Sequence, residues 1–280
     1  MSVINTNVQS LVAQSAMAVN SRALGKAMEQ LSTGKRINSA GDDAAGLAIT
    51  NKMTAQIRGL NQAIRNANDG ISLLQTAESA TQEVTNMLQR MRELAVQAAN
   101  DTYSDTDRSS LQAEYLELAD EITRISDNTK WNDMNVFDTS ASGAIGVSGV
   151  VYFQVGIEGT SGNTISAKFI SLNASSLEIS GASVTTQSGA QSALDLMDAA
   201  IAKVDDFRAD LGAKINRLTY AADNLTSVSE NTAASRSRIM DTDYAAATTD
   251  LARTQIIQQA ATAMLAQANQ LPQTVLTLLK

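Results

Sequence analysis

Apolar residues recur along most of this chain in alternating steps of three and four, the spacing that keeps one face of an α-helix against a partner. From Met53 the series runs Ile57, Leu60, Ile64, Ala67, Ile71 and Leu74. It resumes at Ala77 after an extra step of three, then continues through Thr81, Val84, Leu88, Met91, Ala95 and Ala98. The extra step is a stammer, which overwinds a supercoil locally. The pattern predicts one helix from about residue 44 to 100, roughly 85 Å long at 1.5 Å per residue.

A polar turn rich in cap-forming side chains, "NDTYSDTD", ends that run. The next seam is Leu111, Tyr115, Leu118, Ile122 and Ile125, and it stops at a second polar turn, "DNTKWNDMN". A later helix is predicted to begin after Ser188 and Gln191, which have capping-box spacing. Its stripe is Leu194, Met197, Ile201, Val204, Leu211, Ile215, Leu218, Ala222 and Leu225. Arg208 falls on one seam position and is expected at an end or edge of the packing. Between these helices the texture changes. Residues 140–192 hold eight of the fifteen glycines, and "GVVYFQVGI" and "TISAKFISL" are short β-branched and aromatic runs. They predict a hairpin or small sheet. The fold class is therefore mainly α, a long antiparallel bundle or coiled-coil rod with a small β-hairpin element.

The two ends share an unusual pattern. The first helix offers Ile4, Val8 and Leu11, then Leu24, Met28 and Leu31, before "STGKRINSAGDDAAG" breaks it from the long helix. The last offers Ile257, Ala261, Met264, Ala268, Leu271, Val275 and Leu278, carried across the only proline, Pro272. No charged residue lies between Thr254 and Leu279, and none precedes Arg22. Charge is normally kept on a face that meets water. A helix pair polar only through Gln, Asn, Ser and Thr is suited to be surrounded by copies of itself. Ile4, Val8, Leu11, Leu24, Met28, Leu31, Ile257, Met264, Leu271, Val275 and Leu278 are the expected polymer contacts.

Composition narrows the chemistry. There is no cysteine and no histidine, which removes thiol nucleophiles, disulfides, Ser-His-Asp relays and most transition-metal sites. No catalytic residue, cofactor or metal is expected, and the chain reads as no enzyme. The net charge of −8 suits neither nucleic acid nor an anionic membrane. The uncharged C-terminal stretch holds six glutamines, Asn269 and Pro272, so no membrane span is expected. No cleaved secretory signal is visible near residue 1. "STGKR" lacks the first glycine and the Ser/Thr of a phosphate loop. "GDDAAG" lacks the acidic alternation of a calcium loop, and its aspartates suit a helix N-terminus.

Six blocks, "MSVINTNVQSLVAQ", "LSTGKRINSAGDDAAGLAI", "LLQTAESA", "LQRMRELAVQAAN", "DTDYA" and "LAQANQLPQTVL", resemble bacterial flagellin in the same order. The resemblance covers residues 1–139 and about 190–280. It implies a structural subunit that polymerises through its terminal helices into the flagellar filament, for motility. A hook–filament junction protein is the alternative. The implied organisation is 1–40 with 240–280 as filament core, 41–139 with 190–239 as a helical rod domain, and 140–189 as its small β element. No large outer domain is expected.

The resemblance also implies type III export and a secreted, extracellular flagellum. It implies a flagellar export chaperone on the last helix, cap and junction proteins, and a host Toll-like receptor. Gln89, Arg90, Leu94 and Glu114 match the family's receptor-contacting positions. On its spacing alone that segment is an ordinary amphipathic stretch, with Leu88, Met91 and Ala95 in the seam and Arg90 and Glu93 facing solvent.

Overall fold

The structure, a computed structural model, describes residues 7–137, 145–146 and 149–278; of residues 161 and 271–278 it describes the backbone only. In chain order the elements are helices α1 (Val8–Thr33), α2 (Ala44–Ala98) and α3 (Asp105–Asn128). Strands β1 (Lys130–Trp131), β2 (Met134–Asn135), β3 (Val150–Gln154) and β4 (Thr164–Lys168) follow, then helices α4 (Gln187–Met240) and α5 (Tyr244–Leu278). The chain divides into two compact units, Met1–Ile57 with Glu230–Lys280, and Arg58–Ser229.

The heptad seam predicted for α2 is the buried face of the Arg58–Ser229 unit. Leu60, Ala67, Leu74, Ala77, Thr81, Val84, Leu88, Met91, Ala95 and Ala98 are all buried there, and Ile64 and Ile71 are half-buried. Tyr115 and Ile122 of α3 and Met197, Val204 and Leu211 of α4 close the same core. Three phenylalanines brace it: Phe207 meets Phe137 and Phe169 edge to face at 6.4 and 6.3 Å. β3 and β4 pair antiparallel with Phe153 opposite Ile165, and both side chains enter the core. Gly70 makes room for this hairpin, because a Cβ there would stand 2.8 Å from the Phe153 ring.

Three sequence expectations change. The seam of α4 passes through Ala190, Ala193, Ala200 and Phe207, while Leu194 and Ile201 are only half-buried. Alanine lets the helices approach closely, so the smaller residue takes the inner position. The helix starts at Gln187, earlier than Ser188 and Gln191 suggested, because Thr186 Oγ1 accepts from the Gly189 N–H at 3.1 Å and caps it. "DNTKWNDMN" is more than a turn: β1 and β2 form a two-residue hairpin there. Its turn residues Asn132 and Asp133 both have positive φ, 49° and 64°, as a tight primed turn requires. Arg208 is half-buried midway along α4 and donates to the Gln82 side chain of α2.

In the other unit, two interruptions lie side by side. Gly34 ends α1 in the left-handed conformation (φ 69°), its N–H bonding the Gln30 carbonyl at 2.9 Å. The next residue, Lys35, forms an antiparallel bridge with Asp241, between α4 and α5. Arg36 N–H donates to Met240 O at 2.7 Å, and Thr242 N–H to Gly34 O at 3.0 Å. The Arg36 guanidinium donates to Ile239 O at 2.7 Å and so caps the end of α4. Asp43 Oδ1 accepts from Gly46 N–H at 2.8 Å to start α2, and Asp243 does the same for α5 through Ala245 N–H at 2.9 Å. Asp42 and Asp43 thus occupy the helix N-terminus that the sequence assigned them.

Candidate functional site

Helices α1 and α5 run antiparallel along each other, and the seam between them mixes small and polar residues with a few leucines and a methionine. On α1 it consists of Ser10, Ala13, Met17, Asn20, Leu24, Ala27 and Leu31, all buried or half-buried. On α5 it consists of Ala247, Leu251, Thr254, Gln258, Ala261, Leu265 and Ala268. Both series step by three and four. Two amides bond across the pair: Asn20 Nδ2 donates to Thr254 O at 2.8 Å, and Asn7 Nδ2 to Ala268 O at 2.8 Å. Asn7 also caps α1, its Oδ1 accepting from Ser10 N–H at 3.1 Å. Such groups are expensive to bury unless bonded, so the bonds permit a polar seam.

Eight further apolar residues point elsewhere. Val8, Leu11, Val12, Val19 and Met28 of α1 and Ile256, Ile257 and Met264 of α5 are exposed, Val12 at 62% and Ile256 at 66%. Scattered exposed apolar residues are ordinary. Here they share two helices with almost no charge to hold them in water. The pair therefore offers apolar side chains that another apolar surface can cover.

The expected contact residues divide accordingly. Val8, Leu11, Met28, Ile257 and Met264 lie on the exposed faces, and Leu24 and Leu31 are half-buried in the seam against α5. Ile4 lies outside the described residues; Leu271, Val275 and Leu278 belong to α5, but their side chains lie outside the described part. The apolar stripe of each helix contains neither the polar seam of Asn20 and Thr254 nor the exposed Val12, Val19 and Ile256. The three-four spacing of the seam was available as a signal, hidden by its polar residues.

The second predicted cluster lies in the Arg58–Ser229 unit. Gln89, Arg90 and Glu114 are exposed. Arg90 joins α2 to α3, its Nη2 lying 2.8 Å from Glu114 Oε1, and its Nη1 donates to Glu93 at 3.0 Å. These hydrogen bonds, Glu114 first, raise the guanidinium pKa above its ordinary value. Beside them Arg92 Nε donates to Asp198 of α4 at 2.6 Å, which lowers the Asp198 pKa. Leu94 is different. It is 1% exposed and belongs to the core, so its expected place on a contact surface is corrected: the step of three from Met91 turns it inward.

Among the described residues no group of three acidic side chains is placed to hold a metal ion, and no helix is long and apolar enough to cross a membrane.

Comparison with known proteins gives a consistent result. The bacterial flagellin N-terminal helical region matches residues 4–142, and the bacterial flagellin C-terminal helical region matches residues 194–279. A flagellin of Halalkalibacterium halodurans is 45% identical over 278 residues, covering 99% of this chain and 100% of its own. The flagellar filament 31.3 kDa core protein of Treponema maltophilum is 40% identical, with 99% and 100% covered. The crystal structure of Bacillus cereus flagellin, 36% identical, covers 61% of this chain and 94% of its own with a TM-score of 0.51.

Proposed function

The chain belongs to the bacterial flagellin family, and we propose that α1 and α5 are the elements through which copies of it join into a filament. It is a structural subunit of the flagellar filament and not an enzyme. Relatives named as flagellin and as filament core protein match end to end, which favours the filament subunit over the junction protein.

One observation carries the assembly reading: a helix pair with few charges leaves Val8, Leu11, Val12, Val19, Met28, Ile256, Ile257 and Met264 exposed outside its own seam. Burying each Leu, Ile, Val or Met against a neighbour gains roughly 1.5–3 kcal/mol. A contact between different faces of identical subunits that does not close into a ring propagates as an open helix. In this reading Val8, Leu11, Met28, Ile257 and Met264 meet neighbouring copies, together with Ile4, Leu271, Val275 and Leu278. Leu24 and Leu31 hold α1 on α5.

The resemblance supports further partners: an export chaperone that covers α5 before type III secretion, cap and junction proteins at the filament ends, and a host Toll-like receptor. Exposed Gln89, Arg90 and Glu114 are the residues proposed to meet that receptor, with Leu94 supporting them from below.

The assembly reading is tested on the exposed face, where folding is spared. Leu11→Asp combined with Met264→Asp should leave helix content unchanged and slow elongation of filament seeds by about tenfold or more. Elongation at the parent rate would remove α1 and α5 from the assembly contact.

A further inference from the structure

With ten methionines and no cysteine, thioethers are the chain's entire sulfur chemistry. Nine of the ten lie among the described residues, and their exposure is uneven. Met91 and Met197 are fully buried, while Met17, Met53, Met87, Met134 and Met240 are half-buried. Met28 and Met264 alone among the nine are exposed, at 55% and 63%. One is on α1 and the other on α5.

We propose that Met28 and Met264 are oxidation sites of the unassembled subunit, and that their conversion to sulfoxide by hydrogen peroxide blocks polymerisation. The proposal rests on the assembly reading of α1 and α5. In the reaction the sulfur lone pair attacks one peroxide oxygen and the O–O bond breaks. That oxygen stays on sulfur as the sulfoxide; its proton passes to the departing oxygen, which leaves as water. Sulfur loses two electrons and peroxide gains them.

The consequence follows from the surroundings. Oxidation turns a flexible apolar side chain into a polar acceptor. On the free subunit water solvates that oxygen. In a closed contact it needs a donor, and the helix neighbours offer few. The positions three and four residues from Met264 are Ala260, Ala261, Gln267 and Ala268; those around Met28 are Leu24, Gly25, Leu31 and Ser32. A buried acceptor without a donor weakens the contact. Conversely, a subunit already in the filament has both sulfurs shielded, so oxidation acts on the free chain.

The test treats free subunits and finished filaments with hydrogen peroxide, maps the added oxygen by peptide mass, and measures elongation on untreated seeds. Met28 and Met264 should be oxidised first in free subunits and spared in filaments, and treated subunits should elongate about tenfold more slowly or worse. A Met28→Leu, Met264→Leu double variant keeps side-chain volume. Measured against its own untreated rate, its elongation should be unchanged by peroxide, whereas the parent should lose about tenfold or more of its own. A double variant inactivated by peroxide as fully as the parent would overturn the proposal, as would oxygen appearing first on the half-buried methionines. Untreated parent that fails to extend seeds would overturn the assembly reading itself, a separate observation from the oxygen map.

Discussion

Arg108 Nε donates to the main-chain oxygen of Ala98, the last residue of α2, at 2.9 Å. Its Nη2 reaches Asn100 O at 3.1 Å, and Nη1 lies 3.4 Å from Asp105. A helix ends with carbonyls that have no partner in the helix, and they carry its negative dipole end. A guanidinium answers both needs at once. The side chain is 8% exposed, so water cannot replace it. Arg108→Met should therefore lower stability by about 2–3 kcal/mol, with the urea midpoint falling at unchanged slope.

The alanine seam of α4 makes an opposite kind of prediction. Ala200 is buried among core residues, while its neighbour Ile201 is half-buried. Ala200→Leu inserts volume where there is none and should cost about 1–3 kcal/mol. The same enlargement at the exposed Ala202 should shift the melting temperature far less. Equal shifts would mean that the inner face of α4 is drawn wrongly.

Asp42 supplies a pH dependence. Lys26 Nζ lies 2.9 Å from its Oδ1, and its Oδ2 accepts the Ser39 and Asn38 N–H groups, which together hold its pKa at about 2 instead of 3.8. A carboxyl whose folded pKa is depressed stabilises the fold fully above its ordinary value and loses that contribution as pH falls through the folded one. Parent protein should thus melt above Asp42→Asn at pH 6, and the gap should narrow below about pH 3.8 and close near pH 2.

Charge is distributed unequally between the two units. Arg58–Ser229 carries twelve basic and twenty-two acidic residues, net −10, and the remaining segments carry nine and seven, net +2. Like-charged neighbours repel across roughly 30 Å at 0.01 M salt but only about 10 Å at 0.1 M. Seeded elongation should accelerate over that range, measured by light scattering. A rate indifferent to salt would place the acidic surfaces far from one another in the polymer.

The sequence made the long helices legible because apolar residues mark their inner face for dozens of residues; the α2 seam from Ala77 to Ala98 is buried at every named position. It was less informative where size and polarity reverse the usual sign. Ala193 and Ala200 lie deeper than Leu194 and Ile201 because close approach rewards the smaller side chain. Asn20 and Thr254 form part of a helix–helix seam because their hydrogen bonds are satisfied, and no hydropathy pattern announces that. The β1–β2 hairpin is too short to have a period, leaving only Asn132 and Asp133 as a signal. Resemblance places Leu94 among the receptor-contacting positions, whereas its spacing from Met91 points it inward.

The bridge between Lys35 and Asp241 has a mechanical consequence. A single strand joining two helices swivels about its own bonds and transmits no torque. Here both crossings are stitched into one two-stranded ribbon, with Arg36 riveting it to the end of α4. A ribbon resists torsion that either strand alone would dissipate, so twisting either helix pair about this joint strains both crossings together.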